Sequence, residues 1–126
     1  MRHSGFTLIE LIAVIAILGA LAVIALPKFI NLQDEAQQAS TEGVAGSLGA
    51  AAAMNLAAAI AGDTNATSID DCTDFGGLLA GGMPEDYTII TQDISSLELG
   101  DATVCQVENT AAAEEMKVKF TGYAVP

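Results

Sequence analysis

Residues 1–29 read MRHSGFTLIELIAVIAILGALAVIALPKF, and the reading of that stretch decides the fold. From Phe6 to Leu26 only Thr7 and Glu10 are clearly polar. As a helix rising 1.5 Å per residue this run is about 31 Å long, close to the roughly 30 Å hydrocarbon core of a bilayer. A buried core helix of that length would show a polar stripe, and none is present. The segment is therefore expected in an apolar surrounding, with one acid, Glu10, near its entrance. A removable secretory signal fits less well. Such signals have a shorter apolar core followed by a small-residue cleavage site, whereas here the obvious small residue, Gly5, comes first. Arg2 and His3 favour a cytoplasmic N-terminus, and Lys28 on the far side weakens that asymmetry.

Outside the apolar run the 126-residue chain changes character. Its formal charge is −12, from 16 acids against 4 basic residues, and beyond residue 30 the only basic side chains are Lys117 and Lys119. So acidic an exported part repels phosphate backbones, and no nucleic-acid partner is expected. Cys72 and Cys105 are the only cysteines. In an oxidising compartment they most simply form one disulfide, worth about 3–4 kcal/mol on the chain-entropy account. A head of about 65 residues has a thin core and needs such a staple.

Pro27 lacks the N–H a continuing helix needs, so a kink or loosening is expected there. Helical signals resume at once. Val44, Leu48, Ala52, Leu56 and Ala59/Ile60 recur at three- and four-residue spacing, an apolar stripe for a head to cover. Gly43, Gly46 and Gly49 weaken the helix locally, and Gly62 fits a C-cap. Residues 63–86 read as an irregular connection, with a short helix expected near Asp74 to Ala80. Strands are expected at 87–92, 102–108 and 115–122. In the last, Met116, Val118 and Phe120 share one face and Lys117, Lys119 and Thr121 the other.

GFTLIELIAVIAILGALAVIALPKFINLQDEA, residues 5–36, resembles the N-terminal signature of type IV pilins and their pseudopilin relatives. PKFINLQDEA together with a two-cysteine acidic head looks most like the mannose-sensitive haemagglutinin pilins. The resemblance implies an α+β fold in which a long N-terminal helix carries a small antiparallel sheet on its C-terminal half. It divides the chain into a leader at 1–5, a membrane or filament-core helix at 6–26, an amphipathic helix half at 27–61 and a disulfide-stapled head at 62–126. A prepilin peptidase would cut after Gly5 and N-methylate the new terminus, Phe6. Glu10 would pair with the terminal amine of a neighbouring subunit and act as a register pin, as a polar core residue does in a coiled coil. Pro27 would mark where the helix loosens in the filament. The implied route begins in the bacterial inner membrane and ends, through a pilus assembly machinery, in an extracellular homopolymer used for surface attachment or biofilm formation. A secretion pseudopilin and a monomeric membrane-anchored binding module are the alternatives.

No enzyme, cofactor or metal is expected. His3 is the only histidine and would be lost with the leader, so no Ser-His-acid set can form. Asp63, Asn65, Thr67, Asp70, Asp71 and Asp74 space oxygens somewhat like a calcium loop. However, Ser68 stands where that loop needs glycine, and the final ligand is Asp rather than Glu. Asn65-Ala66-Thr67 matches a glycosylation sequon that means little outside a eukaryotic secretory route.

Overall fold

A computed structural model describes residues 5–112 and 114–126. Arg2, His3 and the rest of the leader before Gly5 lie outside the described residues. One α-helix, α1, spans Leu8–Ile60. It is followed by a 3-10 helix, Cys72–Leu78, and three strands: β1 Tyr87–Ile89, β2 Ala102–Asn109 and β3 Met116–Tyr123. The chain divides into two compact units, Met1–Glu35 and Ala36–Pro126. The α+β class holds.

In the first unit α1 is apolar on every side from Leu11 to Leu26, and none of its most hydrophobic window is buried. Leu8, Ile12, Ile15, Leu18, Leu21 and Ile24 are all exposed. By length and composition the helix is able to cross a membrane. Pro27 lies within α1, and the helix continues through it. It continues because only the Val23 carbonyl loses its donor.

In the second unit the helix buries Thr41, Ala45, Leu48, Ala52 and Asn55, with Val44, Leu56 and Ala59 half-covered beside them. The stripe is real, but it is shifted and partly polar. Ile60, expected at its end, is 68% exposed. The polar members are satisfied locally: Thr41 Oγ1 donates to the Gln37 carbonyl at 2.7 Å. Asn55 Nδ2 donates to the Thr67 carbonyl while Thr67 N–H donates to Asn55 Oδ1, both at 2.8 Å. Asn55 thus pairs with Thr67 as a strand neighbour would. α1 ends in a Schellman arrangement, with Asp63 N–H on the Ala58 carbonyl, Gly62 N–H on the Ala59 carbonyl, and Gly62 at φ 76°.

The short helix falls at Cys72–Leu78 rather than Asp74 to Ala80, and it is 3-10. Asp71 sets its start. The Asp71 side chain accepts from Thr73 N–H, the Asp74 side chain accepts from Asp71 N–H, and Leu79 turns extended and ends it. The sheet is antiparallel in the order β1-β2-β3. β1 stops at Ile89, shorter than expected, although Ile90 N–H still reaches the Gln106 carbonyl at 2.9 Å. Across β2 and β3, Cys105 faces Phe120, Val107 faces Val118 and Asn109 faces Met116. Cys105, Val107 and Phe120 are buried, and Lys117 and Lys119 are exposed, as the alternation required.

Candidate assembly site

Thr7 precedes the first helical residue and Glu10 sits in the first turn. Thr7 N–H and Thr7 Oγ1 each donate to Glu10 Oε2 at 2.8 Å, and Glu10 N–H donates to Thr7 Oγ1 at 3.3 Å. This is a capping box. Two backbone donors that an isolated helix end would leave unmet are answered by the pair, and the carboxylate lies where the positive end of the helix dipole favours it. One oxygen is occupied within the chain. The other, Oε1, accepts nothing from the described residues. Sequence reasoning gave Glu10 the terminal amine and the positive helix end and missed the Thr7 partner. The signal was present, because Thr7-Leu8-Ile9-Glu10 is the S/T-x-x-E pattern that opens helices.

Gly5 and Phe6 lie just ahead of the helix. Phe6 is 84% exposed, and a Cβ built on Gly5 would meet no atom within 4 Å. The chain's own packing therefore does not require glycine at position 5. Glu10 and Pro27 lie far apart on α1, so Gly5, Phe6 and Glu10 form one constellation and Pro27 stands outside it.

In the head, Cys72 and Cys105 form the disulfide, with Cα atoms 5.8 Å apart and 33 residues of separation. It ties the 3-10 helix to the central strand. Phe75 meets Phe120 edge to face, with centroids at 5.7 Å and planes at 88°. Asp63, Asp71 and Asp74 of the calcium-like pattern accept hydrogen bonds from neighbouring residues. Asp63 accepts from Asn65 N–H and Nδ2, and Asp71 accepts from Thr73 and Thr91. Asp74 accepts the amides of both Asp70 and Asp71. Among the described residues no group of three or more His, Cys, Asp or Glu side chains is placed to hold a metal.

For Asp63 and Asp71 these bonds favour the ionised form. The Asn65 N–H, then its side chain, holds Asp63 below the ordinary aspartate range. The Thr73 N–H does the same for Asp71, and the Ser95 hydroxyl and N–H for Asp93, with the nearby Asp71 charge opposing.

A helix apolar all round as far as Leu26 and opened by a capped acid, followed in the chain by a small disulfide-stapled sheet, defines a helix-led α+β protein. Residues 1–26 match the prokaryotic N-terminal methylation motif. The chain is 40% identical over 96 residues to the type IV narrow pilus major component of Thermus thermophilus, covering 76% of this chain and 77% of that one. It is 51% identical over 41 residues to the type IV major pilin protein of Myxococcus xanthus, covering 32% of this chain and 19% of the relative. It is also 45% identical over 71 residues to the type IV major alpha-pilin of Moraxella bovis, covering 56% and 43%. No solved structure matches the chain. The chain belongs to the type IV pilins. The finer likeness to mannose-sensitive haemagglutinin pilins rests on residues 27–36 and the paired cysteines, and these three relatives carry other names.

Proposed function

We propose that this chain is the structural subunit of a type IV pilus filament that polymerises through its N-terminal helix. The observation that carries the proposal is the exposure of apolar side chains on every side of α1 up to Leu26, with a single acid at the entrance. In water such a surface is untenable; lipid covers it before assembly and like helices cover it afterwards. Extraction from the inner membrane into a filament core exchanges one apolar surrounding for another, and the acidic head stays wet.

Within that reading, a prepilin peptidase cuts between Gly5 and Phe6 and N-methylates Phe6, and an assembly machinery inserts the mature chain. The new amine of Phe6 gives Glu10 a cationic partner on an adjacent subunit. Thr7 holds Oε2 in place and leaves Oε1 for that amine, so the register pin is set before the neighbour arrives. Pro27 is the point where the helix loosens in the polymer. The filament serves surface attachment or biofilm formation, and catalysis is no part of its role.

The test is electron microscopy of material sheared from cells expressing the wild-type chain, combined with mass determination of the subunit. Long filaments of a subunit beginning at methylated Phe6 are expected. Membrane-bound monomer alone, or filaments retaining residues 1–5, would overturn the proposal. A short structure confined to the periplasm would transfer the chain to the pseudopilins.

A further inference from the structure

Lys28 stands outside the assembly site, and its position is unusual. It is the first charge after Glu10, at the far end of the apolar run, where it opposes the positive-inside tendency set by Arg2. Its side chain is exposed and, among the described residues, makes no ion pair. The helix itself offers none. Its neighbours at three- and four-residue spacing are Ile24, Ala25, Asn31 and Leu32. Apolar side chains also resume beyond it. Phe29 is 68% and Leu32 57% exposed, and Asn31 is the one polar residue within 29–32.

In the membrane-bound precursor these residues decide how deep α1 sits. With Lys28 at the outer edge of a roughly 30 Å hydrocarbon layer, about 20 residues fill that layer and its inner edge falls near Leu8. Glu10 is then just inside the apolar layer, held by Thr7, and the Gly5–Phe6 bond lies just outside it among the cytoplasmic headgroups. Two forces pull the helix from that position toward the cytoplasm. Sliding by about four residues, ~6 Å, returns Glu10 to water and draws Phe29 and Leu32 into lipid. The next charge along the chain is Asp34, too far on to prevent it. Lys28 opposes the slide. Drawn into hydrocarbon, its ammonium would lose its hydration; at the edge, its alkyl stem lies along apolar surface and its head reaches water and phosphate.

We propose that Lys28 is the outer anchor of the membrane-bound precursor. Its ammonium rests among the lipid phosphates of the leaflet facing away from the cytoplasm, and it fixes the depth at which the Gly5–Phe6 bond is presented for cleavage. The anchor rests on the membrane-inserted precursor of the filament reading. Lys28 is a positioning residue, acting on that bond only through the level of the helix.

The chain contains no tryptophan, so Phe29→Trp makes a single depth reporter. The full precursor carrying it is reconstituted in phosphatidylcholine vesicles brominated at graded acyl positions. Bromines nearest the headgroup should quench it best. Adding Lys28→Leu should move the quenching maximum ~6 Å inward, and adding Lys28→Arg should leave it in place. In cells, the Lys28→Leu precursor should accumulate uncut, while Lys28→Arg is processed like the wild type. A reporter that keeps its depth with Lys28→Leu, or cleavage of that chain at the wild-type rate, would overturn the proposal. A reporter in the Lys28 chain that aqueous acrylamide quenches and no brominated lipid reaches would remove the membrane-inserted precursor, and the anchor with it.

Discussion

Gly122 gives its side-chain space to Phe75. A Cβ at position 122 would overlap the Phe75 ring, which is fully buried on the 3-10 helix and meets Phe120 edge to face. Gly122→Ala should therefore cost about 1–3 kcal/mol of overpacking, read as a fall in the unfolding midpoint of the detergent-solubilised chain. Gly77→Ala is the control: no atom lies within 4 Å of the added carbon, and its midpoint should not fall.

The Thr7–Glu10 pair makes a graded prediction for assembly. Glu10→Ala removes both the cap and the proposed intermolecular acid, and filament yield should collapse. Thr7→Val leaves Glu10 in place without its hydroxyl partner and should reduce yield less, while Thr7→Ser, which restores the hydroxyl, should return it. Equal loss from Thr7→Val and Thr7→Ser would show that the hydroxyl is not what matters.

Gly5 separates packing from recognition. Nothing in the chain crowds that position, so Gly5→Leu should leave the abundance and the disulfide of the chain unchanged. Subunit mass should nevertheless stay at the uncut value. A shortened product at normal yield would place the cleavage elsewhere.

The Cys72–Cys105 bridge closes 33 residues and joins two buried positions. Its loss should cost about 3–4 kcal/mol by chain entropy, a large share of the stability available to a head this small. Denaturant unfolding of the Cys72→Ser/Cys105→Ser chain, or of the wild type with reductant, measures it.

Acid should weaken the head through Asp71 and Asp93. Both carboxyls sit below the ordinary value of 3.8 in the folded chain because Thr73 and Ser95 donate to them. The unfolded chain thus takes up protons first as pH falls. Their contribution is complete well above that value and is lost as pH drops through the lowered folded values. Stability should be flat near neutrality and decline below about pH 4. Asp71→Asn should make that acid decline shallower in thermal melts run from pH 6 to 2.

Much of this was legible in one dimension. The uninterrupted apolar run, the Gly5-Phe6 junction, Thr7-x-x-Glu10 and the alternation of Met116 to Thr121 are local patterns. A helix or a strand imposes its period on whichever residues it contains, so such patterns survive being read along the chain. The paired cysteines carried the same information because there were only two of them.

What the sequence could not supply was which side of the helix would be covered. Apolarity alone picked Ile60 and passed over Asn55, but burial follows the partner surface, and Thr67 arrives with a backbone N–H and carbonyl that only an amide can answer together. The vacancy that Phe75 fills beside Gly122 has the same origin. Periodicity determined the elements. Their neighbours, brought together from distant parts of the chain, decided which residues are core and which polar groups are answered, because contact depends on distance in space and not along the chain.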